Sequence, residues 1–97
     1  MNNGFNARRL INELKRLYCD VDFAIVHERA WHSTTFAGTR LCISTTLSPT
    51  DDSGFPDRLA SHEFQLAGQL VADIAVTHDE AIDGMSRYRI EVLVLED

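Results

Sequence analysis

The sequence Asp22-Phe-Ala-Ile-Val-His-Glu-Arg-Ala30 returns fifty-one positions later as Asp73-Ile-Ala-Val-Thr-His-Asp-Glu-Ala81. Four of the nine residues are identical in register, and three more are conservative replacements. Apolar and polar residues alternate at the start of both copies, which is typical of a strand with one buried face. The recurrence predicts that one supersecondary unit is used twice.

Each copy lies in a longer helix-strand-strand pattern. Residues 5–18 predict an amphipathic helix, because Leu10, Leu14 and Tyr18 recur at helical spacing, and two strands follow at 21–29 and 39–47. The segment 48–55 contains proline, aspartates and glycine and predicts a linker. A second helix is predicted from Pro56 toward Leu66, with strands at 70–78 and 88–95. The end of this helix stays open, since Phe64 and Leu66 alternate with polar residues and are equally compatible with extended chain.

The chain is therefore predicted to be a single α+β domain, 1–97, with pseudo-repeats 5–47 and 56–95. An antiparallel-type four-stranded sheet with two helices on one face satisfies the order α-β-β-α-β-β. This order is a circular permutation of the ferredoxin-like βαββαβ arrangement. In that permutation the second and fourth strands are central, which suits the apolar run Ile90-Glu-Val-Leu-Val-Leu95.

The sheet face without helices is predicted to be unusually apolar. Strict alternation places a strip of small and apolar residues there, namely Ala24, Val26, Cys42, Ala75, Leu93 and Leu95. Such a strip bordered by charge is typical of an association surface, so we expect a homodimer or a protein partner at this face. The alternative is that residues 30–38 or the C-terminus cover Leu93 and Leu95.

The segment after the first strand concentrates aromatic and hydroxyl side chains. Trp31, His32 and Phe36 are candidate ligand-binding residues there, for a small-ligand-binding or enzymatic domain. The alternative is that Trp31 and Phe36 fold back onto the core.

The repeated histidines, His27 and His78, are each followed by an acid, which raises the question of metal or acid-base chemistry. Alternation places both imidazoles with the core residues of their strands and the acids on the opposite face, so we interpret them as structural. Asp22 and Asp73 are interpreted in the same way, as caps or as partners of cations such as Arg40 or Arg89. We predict no catalytic residue, no metal ligand and no cofactor, because no nucleophile or phosphate-loop motif is present.

Composition and charge narrow the possible partners. The 97 residues are 44% hydrophobic with a net charge of −6, and their basic residues cluster only between Arg8 and Arg16. Nucleic acid is therefore an unfavourable partner, and the predicted open sheet face lacks the aromatic residues of an RNA-recognition module. No apolar run is long enough to span a membrane.

Cys19 and Cys42 match no paired motif, which favours free thiols and a cytoplasmic location. A structural subunit of a phage-like or other large assembly is a further alternative.

Overall fold

A computed structural model describes residues 3–49 and 54–96, with the side chains of 7–49, 54–81 and 83–96. The described residues form two helices and four strands, which we number α1 (Asn3–Leu17), β1 (Phe23–His32), β2 (Ala37–Leu47), α2 (Phe55–Ser61), β3 (Gln69–Ile82) and β4 (Met85–Glu96). The strands form one sheet in the order β1-β2-β4-β3, and every neighbouring pair is antiparallel. The predicted α+β class is confirmed, as is the central position of the second and fourth strands. Residues 50–53 of the predicted linker lie outside the described residues.

Both helices pack on the same side of the sheet, because their apolar residues join one buried cluster. Helix α1 contributes Ala7, Leu10 and Leu14, and α2 contributes Phe55 and Leu59. The sheet contributes the alternate residues of its central strands, Leu41, Ile43, Leu47, Tyr88, Ile90, Val92 and Val94. The alternation read from the sequence therefore assigns the core face of β2 and β4 correctly.

The second helix is shorter than predicted and ends at Ser61. Phe55, which is fully buried, anchors its start, where its ring lies 5.2 Å from that of Tyr18 and 5.1 Å from that of Tyr88. The backbone becomes extended at His62 (φ −71°, ψ 137°). Phe64 and Leu66, two residues apart, then both pack against the core from extended chain. The extended alternative for the end of this segment is therefore correct.

One tight hairpin connects β1 to β2, and another connects β3 to β4. Residues 33–36 close β1 to β2, where the amide of Ser33 donates to the carbonyl of Phe36 (2.8 Å) and the Ser33 hydroxyl oxygen accepts from the Phe36 amide (3.0 Å). Asp83 and Gly84 close β3 to β4 with φ of 53° and 78°, the backbone of a two-residue type I′ turn. Both hairpins extend their strands beyond the predicted limits.

The edge strands contain β-bulges that alternation could not reveal. The register shifts between Ile25 and His27 in β1, and between Val71 and Asp73 and between His78 and Glu80 in β3. A bulge adds one residue to one strand, so the side chains beyond it change faces. The shift in β1 therefore corrects the interpretation of His27, which pairs with Cys42 on the side without helices, and moves Glu28 to the core side opposite Leu41.

The bulges in β3 act in the same way on its two ends. The shift at Ala72 moves Leu70 from its predicted core position to the helix-free side, opposite Leu95. The shift at Asp79 keeps Val76 opposite Ile90 although the hairpin turn has only two residues. The predicted need for a longer loop or a bulge in this hairpin is thus met by a bulge.

Candidate functional site

The side of the sheet away from the helices, here called the open face, is covered by no element of the described chain. Residues paired across an antiparallel ladder lie on the same face, so the register defines its rows. In the order β1, β2, β4, β3, successive rows are Trp31, Gly38, Leu95 and Leu70; Arg29, Arg40, Leu93 and Asp73; His27, Cys42, Glu91 and Ala75; and Ala24, Ser44, Arg89 and Thr77.

The first of these rows, here called the apolar row, lies at one end of the open face. Its outer residue Leu70 is 60% exposed, whereas Trp31 and Leu95 are half-buried. Phe36 in the β1–β2 hairpin is 53% exposed and borders a concavity of about 350 Å³ with Leu70 and Leu95. Large apolar side chains are therefore exposed together at this end, which distinguishes them from singly scattered surface residues.

Gly38 gives the apolar row its close packing. A Cβ atom on Gly38 would lie 2.2 Å from the carbonyl oxygen of Val94 and 3.1 Å from Cδ2 of Leu95. Since real Cβ atoms do not approach a backbone oxygen so closely, only glycine allows β4 to lie this near. The side chain of Leu95 therefore lies against β2 at the position of the missing side chain.

The next row places two arginines side by side. Arg29 of β1 lies directly opposite Arg40 of β2, both are exposed, and neither has an ion-pair partner among the described residues. Like charges opposite each other in a sheet are unfavourable unless another group neutralises them. They border an open concavity of about 510 Å³ together with His27 and Glu91. This arrangement can accept an acidic group.

Acidic side chains lie on the other half of the same rows. Asp73 of β3 shares the row of the arginines, and Glu91 of β4 shares the row of His27. Neither carboxylate has an ion-pair partner in residues 3–49 and 54–96. We call His27, Arg29 and Arg40 the basic half, and Asp73 and Glu91 the acidic half. Further along β4, Arg89 lies 3.9 Å from Asp79, measured from Nη2 to Oδ2.

The predicted interface residues are mostly on this face, with two differences. Ala24, Cys42, Ala75 and Leu95 lie in its rows. Leu93 also does, but it is only 8% exposed in a single chain, so it has little surface left to bury. Val26 occupies the bulge of β1 and is 65% exposed.

The predicted ligand-binding residues are not brought together in one cavity. Trp31 belongs to the apolar row, whereas His32 ends β1 and is exposed. Phe36 borders the 350 Å³ concavity, whose lining includes neither Trp31 nor His32. The expectation that Trp31 and Phe36 close the core is also not met, because Phe36 is more than half exposed and Trp31 is on the side opposite the helices.

The two repeated histidines have different surroundings. His27 is on the open face, whereas the ring of His78 lies 5.2 Å from that of Tyr88 on the core side. The described residues contain no group of three or more His, Cys, Asp or Glu side chains that could hold a metal ion. Asp22 and Asp73 make no ion pair in this part of the chain, so the predicted pairing with Arg40 or Arg89 is not observed.

A second polar cluster connects α1 to the segment after α2, on the opposite side of the molecule. The Glu13 carboxylate accepts from Nη2 of Arg16 (2.8 Å) and lies 3.1 Å from Nε2 of His62. The hydrogen bond from Arg16, followed by that from His62, lowers the pKa of Glu13 to about 2. The Arg9 guanidinium also donates to the carbonyl of Ala67. These contacts hold the segment after α2 against α1.

Comparison of the chain with protein-family models, with curated proteins and with solved structures finds no match. Within the described residues, no helix combines the length and the apolar character needed to cross a membrane.

Sequence reasoning missed Arg29, His27 and Leu70 as residues of the open face. Each lies beyond a bulge, so strict alternation assigns each to the wrong side. One signal was present for the first strand: alternation would place Arg29 on the core side beneath a helix, where an unpaired arginine is unfavourable. For Leu70 the sequence held no comparable signal, since leucine suits a core position.

Proposed function

We propose that this protein acts by self-association and forms a homodimer through the open face. The observation that carries the proposal is the exposed apolar cluster at one end of this face, where Leu70 of the apolar row and Phe36 of the neighbouring β1–β2 hairpin remain more than half exposed. Burial of such a cluster against a second surface removes apolar area from water. Each Å² of apolar area buried contributes about 25 cal/mol of favourable free energy.

Charge complementarity favours a second copy of the chain as the occupant. Arg29 and Arg40 have no ion-pair partner among the described residues and need acidic groups. The same face carries the carboxylates of Asp73 and Glu91, which likewise have no ion-pair partner in that part of the chain. A surface with both halves is complementary to itself, as an isologous interface requires. Among the described residues of the open face, no nucleophile and base are held together by a hydrogen bond, so we propose no catalytic step.

Sedimentation velocity of the purified chain across the micromolar range tests the proposal. We expect a monomer–dimer equilibrium in the wild type, and a shift to monomer in the variant Leu70→Glu. Leu70 suits this test because its side chain is 60% exposed, so the substitution leaves the core intact. Leu93→Glu is less suitable, since Leu93 is already buried within one chain.

Ala81→Glu is the matched control, because Ala81 is also exposed on β3 but lies outside the rows of the open face. It should dimerise like the wild type. A wild type that stays monomeric at the highest concentration would overturn the proposal and leave a different protein or a ligand as the occupant. Equal dimerisation of the wild type and Leu70→Glu would also overturn it.

We also propose that the fold is a duplicated αββ unit in a permuted ferredoxin-like arrangement. The strand order β1-β2-β4-β3, the antiparallel pairing and the shared helix side support this relationship. A cytoplasmic location remains part of the proposal and is supported by Cys19 and Cys42, which are both free thiols.

A further inference from the structure

We infer that the two copies pack face to face with aligned strands, related by a two-fold axis that runs parallel to the strands between β2 and β4. This inference rests on the proposed homodimer and adds its geometry. It assigns the acidic half of each copy as the binding partner of the basic half of the other.

The axis follows from the positions of charge across the open face. Rotation about a line parallel to the strands exchanges the β1–β2 side with the β4–β3 side and leaves each row at its own height. Arg29 then faces Asp73 of the partner subunit, and Arg40 reaches Glu91 of the partner subunit. By symmetry each pair forms twice, so the opposed arginines of both copies are neutralised together.

The apolar row selects the same axis independently. Because rows keep their heights, the apolar row of one copy meets the apolar row of the other, and Trp31 faces Leu70 of the partner subunit. Leu70, which is 60% exposed in a single copy, is thereby buried against an aromatic ring of the other copy. Aligned packing at roughly −30° is also the common arrangement of two facing sheets.

The alternative two-fold axis in the plane of the interface, perpendicular to the strands, fails on both features. It places β1 on β1 and β2 on β2 with the rows reversed about the row of His27. Arg29 and Arg40 then face the partner's Ala24 and the partner's Ser44 and meet no carboxylate, while Glu91 faces the partner's Glu91. It also inverts the order of the rows, so the apolar row meets the opposite end of the face, where Thr46 and Arg87 lie. Like charges across an interface oppose binding.

Complementary charge reversal tests the arrangement. One variant carries Arg29→Glu and Arg40→Glu, and the other carries Asp73→Arg and Glu91→Arg. All four residues are exposed, so each variant should keep its fold, which circular dichroism verifies. We expect each variant alone to dimerise with a dissociation constant raised about tenfold or more. An equimolar mixture should restore dimers that contain one copy of each, measured by sedimentation and native mass spectrometry.

A matched control carries Arg8→Glu and Lys15→Glu on the exposed side of α1 and changes the net charge as the first variant does. It should dimerise like the wild type; if it loses the dimer as the first variant does, net charge is the cause and the arrangement is overturned. If each charge-reversed variant dimerises normally by itself, the axis is overturned while the homodimer remains. Monomeric variants whose mixture stays monomeric would also overturn it. A monomeric wild type contradicts the proposed function itself, so the two failures are distinguishable.

Discussion

His62 Nε2 lies 3.1 Å from a carboxylate oxygen of Glu13, which joins α1 to the extended segment that follows α2. The segment in question has little regular structure of its own, since α2 ends at Ser61 and β3 begins at Gln69. Its position therefore depends on side-chain contacts such as this one and on the packing of Phe64 and Leu66.

The contribution of Glu13 to stability should depend on pH. Its pKa is lowered to about 2 in the folded chain by hydrogen bonds from Arg16 and then His62, against an ordinary value of 4.5. A carboxyl with a lowered pKa stabilises the fold above its unfolded pKa, and this stabilisation is lost as the pH falls through 4.5 toward 2. Glu13→Gln should therefore lower the free energy of unfolding at pH 7 by about 0.5–1 kcal/mol. The difference from the wild type should shrink in acid.

Urea denaturation at neutral and acidic pH measures this difference. Glu63→Gln is the control, because Glu63 is an exposed carboxylate of the same segment with no ion pair among the described residues. A loss in Glu13→Gln that stays constant from pH 7 to strong acid would show that the carboxylate charge is not its cause.

Replacement of Glu28 by leucine should stabilise the protein. The bulge at Val26 turns Glu28 to the core side, where its Oε2 is buried and has no hydrogen-bond partner among the described residues. An unsatisfied buried oxygen is costly, so Glu28→Leu should raise the free energy of unfolding by about 1 kcal/mol. Thermal and urea denaturation provide the measurement, with the exposed Glu63→Leu as a neutral comparison. A destabilised Glu28→Leu would show that the carboxylate is satisfied in solution.

Gly38→Ala should be among the most harmful small substitutions in the sheet. The added Cβ would meet the Val94 carbonyl oxygen at 2.2 Å, so β2 and β4 must separate locally. Overpacking of this kind costs about 1–3 kcal/mol. Gly84→Asn is the comparison, since no described atom lies within 4 Å of a Cβ added at Gly84 and asparagine tolerates a positive φ. Equal stability of Gly38→Ala and the wild type would contradict the close approach of the two strands.

The two repeated histidines should respond differently to the same substitution. His78→Ala removes a ring that lies 5.2 Å from Tyr88 and should cost about 0.5–1 kcal/mol. His27→Ala truncates a side chain on the open face and should change stability by less than about 0.5 kcal/mol. Both positions lie in edge strands, so each variant is the control for the other. Urea denaturation in dilute solution checks the order, which the bulge in β1 predicts and an unbroken alternation does not.

Trp31 should report association directly, since it is the only tryptophan in the chain. It is half-buried in the apolar row of a single copy, and a dimer through the open face would bury it further. Its emission maximum should therefore move to shorter wavelength as the protein concentration rises. The emission of Leu70→Glu should not depend on concentration. A shift of equal size in that variant would place the association elsewhere.

Much of the fold could be predicted from the sequence because β2 and β4 alternate without interruption. Leu41, Ile43, Ile90 and Val92 are all on the predicted side, and the ladder between these strands has no register shift. In the edge strands β1 and β3, bulges interrupt the alternation, so side chains on one side of each bulge lie on the face opposite to the predicted one. The bulge at Val26 interrupts the alternation of β1, and the one residue of the strand that signals it is Arg29, which unbroken alternation would place beneath a helix.

The candidate site was predicted in part for the same reason. Ala24 precedes the bulge of β1, Ala75 lies in the regular stretch between the two bulges of β3, and Cys42 belongs to a central strand; all three lie on the open face as expected. Arg29 and Leu70 lie beyond bulges and carry the features on which the proposed interface depends. The sequence could not decide where the second helix ends, because the residues from Phe64 to Leu66 fit both strand alternation and helical spacing. In the structure the helix ends at Ser61.

The same bulges disfavour one route of assembly, the edge-to-edge pairing of strands from different copies. Both strands at the margins of the sheet are interrupted, β1 once and β3 twice, so neither presents a long regular row of free amide and carbonyl groups to another chain. Addition of strands edge to edge could continue without end and form fibrils, and irregular margins discourage it. The proposed two-fold contact through the open face would instead close after two copies. The irregularities that obscured the register in the sequence thus protect a sheet with an exposed apolar end from unlimited growth.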